Sequence, residues 1–252
     1  MYRKYVPFLL FLFFLYGCNG NKQEEKEDVS VFVDLPQLKA EGEITAVTLY
    51  SSTSYFQYKM QPMGYEYDLI NDFAKSQGLK LNIKVAENPA RLIEMLEAGE
   101  ADVVAYPIPI NNKLKQEVIY CGREDISSQV LIQRANKGDK LLTDVTQLID
   151  KNVYVKPNTK YSERLKNLDE ELGGGIHIQK VENDSIATED LIEMVSLGEI
   201  PYTISDDNTA RLNKTYYWNI NVDLKVSFPQ RSSWVVRKSS PDLAKAIDEW
   251  AS

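Results

Sequence analysis

One stretch of the chain occurs twice, and this limits the fold more than any other feature. Leu92 to Ile108 reads LIEMLEAGEADVVAYPI and Leu191 to Asp207 reads LIEMVSLGEIPYTISDD, so Leu, Ile, Glu, Met, Gly and Glu return at the same offsets. Each copy predicts a helix followed by a strand. In the first, Leu92, Met95, Leu96 and Ala98 recur at three- and four-residue steps and share one helical face, with Glu94, Glu97 and Glu100 on the wet side. Gly99 ends the helix, because glycine adopts the left-handed cap conformation cheaply. Val103 to Ala105 is continuously apolar, as expected of a strand covered on both faces, and Tyr202 to Ile204 takes its place in the second copy. Ligands of open α/β sheets bind at the carboxyl edge of the strands. Two such units present two edges, and a ligand fits between them.

The rest of the chain alternates in the same way. Ile44–Leu49 is a predicted strand, and Leu69, Ile70, Phe73 and Ala74 form a helical stripe that Gly78 ends. Leu79–Val85 alternates as a half-buried strand, and Asn88 before Pro89 starts the first repeat helix. After a polar break at Gly122–Asp125, strands are predicted at Ser127–Arg134 and Val153–Val155, a helix at Tyr161–Leu172 and a strand at Ile176–Val181. Two extended pieces, LKVSF and SWVV, flank Pro229, and Ser240 with Pro241 starts a last helix. That helix runs almost to Ser252 without a closing glycine or proline, which reads as the front part of something longer. The pattern predicts an α/β fold in two lobes, with mostly parallel sheets flanked by helices.

The N-terminus carries a separate message. Arg3 and Lys4 precede an apolar run, Val6–Tyr16, of roughly half the length needed to cross a bilayer as a helix. Leu15, Tyr16, Gly17 and Cys18 resemble the bacterial lipobox, which implies that residues 1–17 are a leader and that Cys18 is lipidated. Asn19–Asp28 has no apolar residue to bury, and residues 18–40 are expected to be the lipidated cysteine and a flexible tether. The membrane is thus an expected partner through the lipid, at the periplasmic face of an outer membrane. Cys121 is the only other cysteine and reads as a buried thiol. The net charge is −8, and removing Arg3 and Lys4 with the leader makes the rest more acidic still, which disfavours nucleic acid as a partner. The single histidine, His177, leaves no histidine cluster for a metal and no Ser-His or Cys-His pair, so neither a cofactor nor an enzyme activity of this chain is expected.

The run GYEYDLINDFAKSQGLKLNIKV, the first repeat block, SSQVLIQR, VYVKPNTKY and YTISDD together resemble the extracellular solute-binding proteins of family 3 over about Glu41 to Ser252. Within that family, MQPMGYEYDL and GEIPYTISDD are most similar to modules that precede the catalytic domain of membrane-bound lytic transglycosylases. The resemblance implies a periplasmic-binding-protein-like type II fold: residues 41–124 and 231–252 in lobe 1, residues 125–230 in lobe 2, and two crossover strands between them. It implies a small amino-acid- or peptide-like ligand, such as a muropeptide fragment, held in the interlobe cleft. Tyr55 and Phe56 would supply an aromatic wall, and Ile108 the end of a lobe 1 strand. Lys156 and Thr159 would hold a ligand carboxylate, and Asp206 a ligand amino group. Where the family has an arginine after the lobe 1 strand, this chain offers either Lys113, a point charge in place of a two-pronged grip, or no charge at all at Leu114. By pattern alone, Asp206 and Asp207 equally suit a solvated loop, Lys156 a turn, and Tyr55 with Phe56 the core. The macromolecular partner implied is a C-terminal transglycosylase domain or, for a free receptor, a transporter permease.

Overall fold

Strands that are apolar on every residue must be covered on both faces, and this chain covers them with helices. Val103, Val104 and Ala105 are fully buried, as are Leu92 and Leu96 on the helix before them. The computed structural model describes residues 33–183 and 186–252. In chain order the elements are α1 (Leu35–Glu41), β1 (Glu43–Leu49), β2 (Phe56–Tyr58), β3 (Gln61–Met63), α2 (Tyr65–Ser76), β4 (Lys80–Ala86), α3 (Pro89–Glu97), β5 (Val103–Pro109) and β6 (Val118–Ser127). They continue with β7 (Gln129–Arg134), β8 (Asn152–Val155), α4 (Lys160–Glu171), β9 (His177–Lys180), α5 (Thr188–Leu197) and β10 (Tyr202–Asp206). The last are α6 (Asp207–Lys214), β11 (Ile220–Asn221), β12 (Gln230–Arg237) and α7 (Pro241–Ala251). Among the described residues no helix is long and apolar enough to cross a membrane.

The strands form two sheets of five, ordered β4-β1-β5-β12-β6 and β11-β7-β10-β8-β9, and a separate β2-β3 hairpin. Both large sheets are mixed. In the first, β4, β1 and β5 are parallel while β12 runs against β5 and β6. In the second, β9, β8 and β10 are parallel while β7 runs against β10 and β11. The expectation of mostly parallel sheets therefore describes three adjacent strands on one side of each sheet, β4-β1-β5 and β10-β8-β9. The duplicated helix-strand stretch is the last part of a five-element repeat: β1-α2-β4-α3-β5 corresponds to β8-α4-β9-α5-β10. Its hydrogen bonds repeat too, since the Glu100 N–H donates to the Met95 carbonyl and the Glu199 N–H to that of Met194, each at 2.9 Å. Gly99 and Gly198, with φ 72° and 81°, end the two helices in the left-handed region that glycine enters without strain.

The chain passes between the sheets at Ser128 and returns on the segment before β12. The two crossings lie side by side: the Gln129 N–H donates to Ser227 Oγ at 2.8 Å, and the Val226 N–H to the Gln129 carbonyl at 2.9 Å.

Three sequence expectations are corrected. Residues 35–40, expected in the tether, belong to α1, where Asp34 and Gln37 form a capping box and Leu38 is buried against the lobe 1 core. The polar break at Gly122–Asp125 lies inside β6, an edge strand whose exposed side chains are free to be polar. The LKVSF piece joins the second sheet only through a bridge between Val130 and Lys225, and the strand there is the earlier β11. Cys121 is the buried thiol expected, and burial raises its pKa.

Candidate functional site

The carboxyl ends of β1 and β5 in one lobe face those of β8 and β10 in the other across a cleft of about 1420 Å3. From lobe 1 the lining includes Ser51–Ser54, Glu66, Tyr106–Pro109 and Arg123, and from lobe 2 Lys156–Tyr161, Glu189 and Asp206. The Ser51–Ser54 segment is fixed by the start of α2: the Tyr65 N–H donates to the Thr53 carbonyl at 2.9 Å and the Tyr67 N–H to the Ser54 carbonyl at 3.1 Å. Gly64 makes this approach feasible. Its φ is 135°, and a Cβ there would lie 2.3 Å from the Ser54 carbonyl oxygen.

Glu66 opens α2 and accepts from Trp234 Nε1 at 2.6 Å. Burial raises its pKa to about 7, the Trp234 bond opposes the rise, and nearby Asp125 adds to it. The corresponding place in lobe 2, the start of α4, carries Lys160 and Tyr161. Lys160 Nζ lies 2.5 Å from Asp206 Oδ2, and the Tyr161 hydroxyl donates to the same oxygen at 3.1 Å. Burial lowers the Lys160 pKa, but Asp206, Tyr106 and Asp125 together outweigh it and the net shift is upward. Burial, and then Asp206, push the Tyr161 phenol well above its ordinary value. Tyr106 is also raised by burial, with Lys160 pulling it down and Asp206, Glu189 and Glu66 pushing it up. All three tyrosine and lysine groups therefore face the cleft as proton donors at neutral pH.

The lobes touch across this cleft. The Ser52 hydroxyl donates to Glu189 Oε1 at 3.0 Å, and Asn208 Nδ2 donates to Asp125 Oδ2 at 3.4 Å.

The structure brings Phe56, Ile108, Lys156, Thr159 and Asp206 together around the cleft. Three of these are already engaged: Asp206 is held by Lys160 and Tyr161, Thr159 Oγ1 caps α4 by accepting from the Ser162 N–H at 3.3 Å, and Lys156 Nζ donates to the Asn183 carbonyl at 2.5 Å. Tyr55 does not line the cleft. It is 6% exposed, packs edge-to-face on Tyr67 at 5.6 Å and belongs to the core beneath, because neighbouring residues of an extended segment point to opposite sides. Lys113 is also outside the lining, on an exposed turn. The guanidinium in the cleft is that of Arg123, and among the described residues it has no carboxylate partner. Asp207 lies outside the lining, with Oδ1 accepting from the Ser128 N–H at 3.3 Å. Cys18 and the leader fall outside the described residues.

Sequence reasoning missed Glu66, Tyr106, Arg123 and Lys160. Had the repeat been extended to all five elements, it would have placed Glu66 and Lys160 together at the starts of corresponding helices.

Two mixed sheets facing each other across a cleft, with polar side chains from both, define a solute-binding domain. Residues 44–252 match the family of bacterial extracellular solute-binding proteins, family 3, and the chain belongs to it. Among individual proteins it is similar to membrane-bound lytic murein transglycosylase F of Desulfosudis oleivorans, 31% identical over 85% of this chain and 46% of the relative. The same-named protein of Stutzerimonas stutzeri is 28% identical over 85% of this chain and 44% of its own length. The chain thus spans under half the length of these relatives. Among solved structures, the arginine-bound Gly52Ala mutant of ArgBP from T. maritima shares the fold with TM-score 0.72 at 20% identity, covering 85% of this chain and 97% of that one. A substrate-binding protein of an amino acid ABC transporter gives TM-score 0.67 at 20% identity, covering 82% and 91%.

Proposed function

We propose that this chain binds a small amino-acid- or peptide-like ligand between its lobes, as the regulatory N-terminal part of a lytic murein transglycosylase F-like protein acting in peptidoglycan turnover. The cleft carries the reading: both lobes contribute polar groups to one cavity, so a ligand that touches both shifts the chain toward the closed form. Similarity to transglycosylase F over most of this chain supports the regulatory setting and the muropeptide as ligand. The test is thermal unfolding of the mature chain with soluble muropeptides and with free amino acids. A ligand at about 100 times its Kd stabilises by about 2.7 kcal/mol and raises the melting temperature. An unchanged melting temperature across both sets contradicts the reading.

In this reading the chain alone does not cleave peptidoglycan, so purified sacculi should release no more soluble muropeptide than with a heat-killed control. Lipid on Cys18 holds the domain at the periplasmic face of the outer membrane, and Cys18→Ser should move it into the soluble fraction. A second reading, a free receptor delivering solute to a transporter permease, is favoured by likeness to the transporter binding protein. The coding sequence after Ser252 separates the two: continuation into a transglycosylase domain supports the first, and a stop followed by permease genes supports the second.

A further inference from the structure

Asp206 lines the cleft from lobe 2 together with Glu189 and Asp190, and the chain itself supplies its counter-charge. Lys160 Nζ sits 2.5 Å from Oδ2, with both side chains mostly buried at 18% and 16% exposure. Tyr161 donates to the same oxygen. Lysine and aspartate at this separation sum to zero charge, so the end of β10 presents a neutral, polar surface to the cleft. Among the described residues Asp206 Oδ1 has no partner, and it remains able to accept one hydrogen bond.

This changes which nitrogen can bind there. An ammonium on Oδ1 would lie within a few ångström of Lys160 Nζ, and its repulsion from one charge offsets its attraction to the other, since both fall with distance alike. It would also lose its hydration without gaining a net counter-ion from the Lys160–Asp206 pair. A neutral amide N–H has no such penalty and makes the same hydrogen bond.

We infer that the nitrogen received at Asp206 is an acylated, uncharged N–H, and that Lys160 acts as a specificity residue excluding free amines. The inference deepens the ligand reading above and rests on it. The ligand class is an N-acylated amino acid or peptide. Arg123, the guanidinium of the same cleft without a carboxylate partner among the described residues, is placed to take its carboxylate.

The experiment is calorimetry of the mature chain with matched pairs: free amino acids and short peptides, and the same compounds N-acetylated. The parent should bind the acetylated members about tenfold or more tightly than the free ones. Lys160→Met leaves Asp206 charged and should reverse the order. Lys160→Met with Asp206→Asn restores neutrality and should restore the preference for acetylated ligands, which separates the charge effect from any damage to packing. A parent that binds free amines as tightly as acetylated ones, or a ratio unchanged in Lys160→Met, overturns the inference. If neither class binds the parent or any variant, the amino-acid-like ligand reading itself falls and takes this inference with it.

Discussion

The two lobes are built from the same five elements, yet they fasten the turn between helix and strand differently. In lobe 1, Arg237 at the end of β12 is 6% exposed and donates to the Leu96 and Ala101 carbonyls and to Asp102, whose Oδ1 lies 3.0 Å away. In lobe 2 the arginine at the end of the corresponding antiparallel strand is Arg134. It packs beside Gly198 but pairs with Asp139 on the surface, with side chains 43% and 26% exposed. The position of Asp102 in the repeat is taken by Pro201, so the second copy cannot make the buried pair. A duplicated fold thus keeps its hydrogen-bond pattern while the charge pair that clamps it stays interchangeable, buried in one lobe and exposed in the other.

Breaking the buried pair should have the largest effect. Arg237→Met leaves Asp102 buried without its cation and should cost about 3–5 kcal/mol in urea unfolding. Next come the matched core deletions Leu92→Ala and Leu191→Ala, each expected to cost about 2–5 kcal/mol and to agree with one another within about 1 kcal/mol. A large gap between them would show that the two copies are not equally packed.

The pH dependence should belong to lobe 1. Glu66 has a folded pKa raised from 4.5 to about 7, so its contribution to stability is complete below 4.5 and is lost as pH rises through 7. Glu66→Gln keeps an acceptor for Trp234 and removes the charge. Parent and variant should be alike at acid pH, and the variant more stable above neutrality by on the order of 2–3 kcal/mol. The corresponding residue of lobe 2, Tyr161, is raised out of this range and should add no slope. The smallest effect is expected from Arg134→Met, within about 1 kcal/mol because the pair is solvent-screened. A cost equal to that of Arg237→Met would erase the difference between the lobes.

The fold was legible where periodicity carried it. Leu92, Met95, Leu96 and their counterparts announce buried helix faces, and Val103–Ala105 a covered strand, because burial imposes apolar residues at fixed steps. β6 was not legible in this way, since Arg123, Glu124 and Asp125 lie on an edge strand that imposes no such pattern. α6 begins at Asp207, directly after the strand-ending Asp206, where two carboxylates read equally well as a loop. Of the residues that the resemblance implies, Phe56, Ile108, Lys156, Thr159 and Asp206 line the cleft. Tyr55 was misplaced because an aromatic in the core and one in a wall have the same sequence signature. Lys160 was passed over for Lys156 and Thr159 because sequence alone does not show which first-turn residue of a helix turns toward the cleft. Arg123 reaches the cleft from β6, the edge strand that pairs with β12, a tertiary placement that no local spacing encodes.

The central claim is that a ligand is held by both lobes at once. Amide hydrogen exchange of the mature chain, with and without a muropeptide digest of sacculi, tests it most directly. The account expects slowed exchange in Tyr50–Phe56 of lobe 1 and in Asn158–Tyr161 of lobe 2 together. Exchange unchanged in both segments, or slowed in one lobe only, would contradict it.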